Sequence, residues 1–223
     1  MNQNFLRLIR SGTTAEIADA VHADPRLAVW RDAQGVSALM WSIYSGQTVV
    51  RDFLRASLSE HSILLDIFEA AAIGDDTRLA VLVLEHPEQA NEHAGDGWTP
   101  LHLAGAFGTP ACVAALLRAG ASVSAVAANA QANQPLHAAL ALGRNPETIR
   151  LLLDHGANPN ATQAGGFTPI FSAATANRRD LAELLLAHGA SAQHRCDEGK
   201  TAADFARERG HAELADWLEA RPA

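Results

Sequence analysis

The chain has 223 residues, 48% hydrophobic and 19% charged, an ordinary globular balance that argues against disorder. Its 17 basic and 25 acidic residues leave a net charge of −8, so nucleic acid, whose phosphates need a basic stripe, is not the expected partner. The longest apolar runs, such as LAVLVL at 79–84, are too short to cross a bilayer, and no membrane association is expected.

The opening MNQNFLRLIR lacks the apolar core and small-residue cleavage site of a secretory signal. Cys112 and Cys196 lie in no CxxC pattern, which fits buried thiols in a reducing cytoplasm. Lys200 is the one lysine in the chain, and arginine beside abundant alanine points to a GC-rich bacterial coding sequence.

Gly12 closes a short first unit, and a pattern then recurs along the chain. It runs as SALMWSIYSG from Ser37, LDIFEAAAIG from Leu65, TPLHLAGAFG from Thr99, QPLHAALALG from Gln134, TPIFSAATAN from Thr168 and TAADFARERG from Thr201. Successive anchors are 28, 34, 35, 34 and 33 residues apart. Each unit reads as two short helices. In the clearest copy Thr99 caps the first helix and Pro100 occupies its first turn, where a missing N–H costs nothing. Leu101, Ala104 and Gly105 face the next unit, and Gly108 permits the turn through a positive φ. Val113, Leu116 and Leu117 form the second helix's apolar stripe, which Gly120 ends in a left-handed conformation. Neither helix can bury its apolar face alone, so neighbouring units must stack.

Two departures interrupt the pattern. RASLSEHSIL at 55–64 has neither a Gly-Ala ending nor a following Asp-x-x-Gly, so the connecting finger is expected to be missing there. DPRLAVW and HPEQANE replace the Gly-Ala ending with a proline-containing turn.

Thr-Pro-Leu-His, a small pair, Gly, a Val/Leu stripe and Leu-Leu-x-x-Gly-Ala together resemble the ankyrin repeat, most closely over 94–216. The chain is also similar to bacterial cytoplasmic ankyrin proteins. The resemblance implies an all-α solenoid of about six helix-turn-helix repeats plus an N-terminal capping unit. Short β-hairpin fingers and the first helices would line a concave groove. The expected units of this single domain are 4–31, 32–59, 60–93, 94–128, 129–162, 163–195 and 196–223.

Ten histidines raise the question of metal, but no HExxH or Cys/His ligand cluster is present, and no metal or cofactor is expected. His102 and His137 sit in the Thr-Pro-Leu-His position, where the resemblance implies hydrogen bonds to backbone. GKT at 199–201 lacks the glycine that a phosphate loop needs five residues before Gly199, since His194 stands there. No GxSxG occurs, and catalysis is not expected.

The groove slots are more informative. They hold Val36, Tyr44, Ala72, Ile73, Trp98, Phe107, Leu142 and Phe167, apolar side chains on a face that water would otherwise cover. Trp30 and Trp217 are assigned instead to the cap core and the last helix. The leading expectation is a non-catalytic scaffold that holds a protein or peptide in the groove. The alternatives are a self-associating assembly element or an accessory or regulatory subunit of an enzyme. Residues 60–96 carry nine acids against the single base Arg78. That charge is either a solvated convex face or a means of steering a partner with a basic surface.

Overall fold

A computed structural model describes residues 2–143 and 145–221. Position 1, position 144 and the last two positions of the expected 196–223 unit lie outside the described residues. Among the described residues fourteen helices pair in chain order. They are α1 (Asn2–Ser11) with α2 (Thr14–Ala23), α3 (Ala38–Tyr44) with α4 (Thr48–Glu60), and α5 (Ile67–Ile73) with α6 (Asp76–Glu85). Next come α7 (Pro100–Ala106) with α8 (Pro110–Arg118), and α9 (Pro135–Ala138) with α10 (Pro146–Asp154). The array ends with α11 (Pro169–Thr175) and α12 (Arg179–Ala187), then α13 (Ala202–Glu208) and α14 (Ala212–Glu219).

First helices stack on first helices, α3 on α5, α5 on α7, α7 on α9 and α11 on α13, and α6 packs on α8 and α8 on α10. This sideways stacking turns two-helix units, each too small for its own core, into one continuous apolar interior. Leu39, Leu79, Leu101, Leu116, Leu136, Ile149 and Leu152 are wholly buried along it.

Capping explains where the helices begin. The Ser37 hydroxyl accepts the Met40 N–H at 3.2 Å, and the Thr109 hydroxyl accepts that of Cys112 at 3.2 Å. Thr201 and Asp204 close a reciprocal capping box on α13. At α5 the cap is Asp66, which forms such a box with Glu69. The repeat anchor expected at Leu65 therefore falls one residue later.

Gly120 has φ +85°, the left-handed value expected. Gly108 does not. A Cβ on Gly108 would sit 2.3 Å from the Ala71 carbonyl oxygen of the preceding repeat, so glycine is needed there for close approach between repeats, not for positive φ. The two proline-containing endings form 3₁₀ turns, Pro25–Val29 and Pro87–Asn91, each with proline in its first turn.

The fingers are tight turns, each closed at its base by a backbone bond. Val36, Trp98, Asn133, Phe167 and Lys200 each offer a carbonyl, to the N–H of Asp32, Ala94, Ala127, Gln163 and Cys196 respectively. The expected β-hairpins are reduced, among the described residues, to isolated bridges between Arg31 and Ser37 and between Gln163 and Phe167. Neighbouring fingers hold one another through Ala128 N–H to Gly97 O, Ala164 N–H to Gln131 O and Asp197 N–H to Gly165 O, at 2.8 to 3.0 Å.

Between α4 and α5 the chain takes a direct path through Ser62–Asp66 with no such turn. The gap is spanned by side chains instead. Arg78 Nε donates to the Leu65 carbonyl at 3.0 Å, and Arg55 pairs with Asp75 at 3.3 Å beside a cavity of about 270 Å³.

Candidate partner-docking groove

Residues of three repeats, 32–59, 94–128 and 129–162, enclose an open cavity of about 510 Å³, and the intervening repeat 60–93 contributes none of its lining. Val36, Tyr44, Trp98, Phe107 and Leu142, five of the eight groove-slot residues, line it together with Trp41 and Asp96. A second cavity of about 340 Å³ continues the groove and shares Trp98, Gln131 and Leu142 with the first. Phe167 lines that extension.

The aromatic residues form a connected row. Trp98 stacks on His102 with centroids 5.8 Å apart and on Phe107 at 6.1 Å. Phe107 lies 5.7 Å from Tyr44, which meets Trp41 edge-on at 6.0 Å. The row is anchored from below by His102, a fully buried side chain of α7. Its Nε2–H donates to the Asn133 carbonyl at 3.0 Å, and its Nδ1 accepts the Thr99 hydroxyl at 2.8 Å. Burial holds its pKa down to about 4, so the imidazole is neutral at pH 7. His137 repeats the arrangement one unit on, donating to the Ala161 carbonyl, and burial lowers its pKa too.

One carboxylate stands in this apolar wall. Asp96 accepts the Trp98 backbone N–H at 3.1 Å and the Tyr44 hydroxyl proton in a short hydrogen bond. Burial, and then the charge of Asp96, raise the Tyr44 pKa. The Asn129 side chain fixes the same turn by donating to the Asp96 carbonyl at 3.0 Å.

Not every proposed residue faces open space. Val36 is 7% exposed and forms wall more than contact surface, because its finger folds back on Ser37. Ala72, 2% exposed, is part of the core where α5 packs on its neighbours, and it leaves the groove set. Ile73 is half-buried against the same core and borders neither groove cavity. Leu142, in the π turn over Ala139–Gly143 that follows α9, is 51% exposed. Trp41 is not among the groove slots named from the sequence. It sits one turn before Tyr44, its Nε1–H donates to Asp32 at 2.8 Å, and helical spacing from Tyr44 was the signal that could have found it.

The histidines off the groove are structural. His155 and His188 donate from Nδ1 to the Leu151 and Leu184 carbonyls, one turn back on their own helices. Among the described residues no group of three or more His, Cys, Asp or Glu side chains is placed to hold a metal.

The family described as "Ankyrin repeats (3 copies)" matches residues 67–163 and 145–221. The chain belongs to the ankyrin-repeat family. Its helix pairs, stacked sideways, are ankyrin repeats, and such repeats generally mediate protein–protein interaction. Among curated relatives, the B-cell lymphoma 3 protein homolog of Mus musculus is 32% identical over 139 residues, covering 61% of this chain and 30% of that protein. Rabankyrin-5 of Homo sapiens is 34% identical over 110 residues, 49% of this chain and 9% of that protein. Glycerophosphocholine phosphodiesterase gde1 of Schizosaccharomyces pombe is 35% identical over 96 residues, 43% of this chain and 8% of that protein. The ankyrin chain thus spans less than a third of the length of each of these relatives. Among its described residues no helix is long and apolar enough to cross a membrane.

Proposed function

We propose that this ankyrin array is a non-catalytic scaffold that docks a protein or peptide in the groove between Val36 and Phe167. The observation that carries the reading is the convergence of Tyr44, Trp98, Phe107 and Leu142, from three different repeats, on one open cavity. Large aromatic side chains that stay half-exposed beside a concave space supply binding energy at small entropic cost. The net charge of −8 favours a protein partner over nucleic acid. Cys112 and Cys196, both buried free thiols, support a reducing compartment such as the cytoplasm. Affinity capture from the native cell tests the proposal, with a Trp98→Ala/Phe107→Ala double variant as control. A partner held by the wild type and lost from the folded variant is the expected result. Equal recovery by both would place docking elsewhere on the molecule.

A further inference from the structure

We propose that the groove selects a cationic side chain of its partner, an alkylated ammonium above all, held against the aromatic lining of Tyr44, Trp98 and Phe107 and beside the Asp96 carboxylate. The proposal rests on the docking reading and specifies the chemistry of the occupant.

The aromatic rings differ in plane around one cavity. Tyr44 and Phe107 meet at 45°, Trp98 and Phe107 at 29°, and Trp41 and Tyr44 at 81°. Tyr44, Trp98 and Phe107 all line the cavity, so a cation seated there lies against electron-rich aromatic surface. Arg10 already lies 5.5 Å over the Trp41 ring, which leaves the other three to a ligand.

The carboxylate decides between a cation and a plain apolar anchor. Both Asp96 oxygens accept hydrogen bonds from neutral donors, Trp98 N–H and Tyr44 O–H. Among the described residues no arginine or lysine forms an ion pair with it. A leucine or phenylalanine seated in the cavity would strip water from an uncompensated charge, which is costly. An ammonium would compensate that charge while its methyl groups fill the apolar space. Methylation improves the fit, because it lowers the ammonium's hydration and enlarges its contact with the rings.

The test is an NMR titration of the full chain with three seven-residue Gly/Ser peptides. Their central residue is lysine, trimethyllysine, or the neutral isostere in which carbon replaces the ammonium nitrogen. The indole N–H signals of Trp41 and Trp98 report occupancy. The trimethyllysine peptide should bind about tenfold more tightly than its neutral isostere. Asp96→Asn should remove most of that preference. The wild-type comparison needs no variant, so a misfolded Asp96→Asn protein would leave the result readable. Equal affinity for charged and neutral peptides would overturn the cation proposal and leave groove docking standing. An absence of indole shifts with all three peptides up to about 10 mM would overturn it as well. Failure of the docking reading itself shows in the capture experiment instead.

Discussion

His102 ties the groove to the core through the two hydrogen bonds of a neutral imidazole. Its pKa in the folded chain is about 4, against 6.5 when unperturbed. Between those values the unfolded chain takes up a proton that the folded chain refuses. Stability is therefore whole above about pH 6.5 and falls as pH drops towards 4. The loss should be on the order of 2 kcal/mol by pH 5 from this group, and His137 shifts in the same direction. Urea midpoints measured from pH 7.5 to pH 5 should fall more steeply for the wild type than for His102→Gln. Parallel slopes would mean that His102 is not held neutral. The role of this residue was legible in Thr-Pro-Leu-His through family resemblance. Its contact with Trp98 was not, because stacking across α7 depends on side-chain direction that the pattern does not record.

Glycine does two different things at the ends of the helices, and substitution separates them. Gly120 adopts φ +85° with open space around its missing Cβ, so Gly120→Ala meets backbone strain alone, about 1 kcal/mol. Gly108→Ala drives a methyl group to 2.3 Å from the Ala71 carbonyl and must spread α5 from α7. It should cost about 2–4 kcal/mol and be the worse of the two by a clear margin in urea denaturation. The reverse order would show that the close approach between repeats is relieved cheaply. Both glycines stand out in the sequence, yet the sequence shows only that a turn is near. Close approach depends on a residue 37 positions away in another repeat. The repeat anchor at α5 falls at Asp66, beside the expected Leu65, for a similar reason, because no finger turn marks its start. The π turn after α9 leaves no trace in QPLHAALALG, where Leu142 is readable only as a groove slot.

The whole molecule is a line of repeats in which contact is nearly all between neighbours, and its outer and inner faces are chemically different. Leu84 on α6 is an isolated side chain, 83% exposed, away from both groove cavities. The nine acids of 60–96 divide as well. Asp66 and Glu69 bind Arg31, Asp75 caps α6 and pairs with Arg55, and Asp96 lies in the groove. That leaves Glu60, Asp76, Glu85, Glu88 and Glu92 as exposed members, with Glu88 3.3 Å from His86. Repeat architecture and acidic bias could be read from spacing and composition, whereas the meeting of Tyr44, Trp98 and Leu142 depends on how far each repeat rotates on the last. The most direct measurement is site-specific photo-crosslinking in the native cell, with a benzophenone amino acid at Leu142 in one variant and at Leu84 in another. A discrete adduct from Leu142, with none from Leu84, is the predicted result. An adduct from Leu84 alone, or the same adduct from both positions, would contradict docking in the groove.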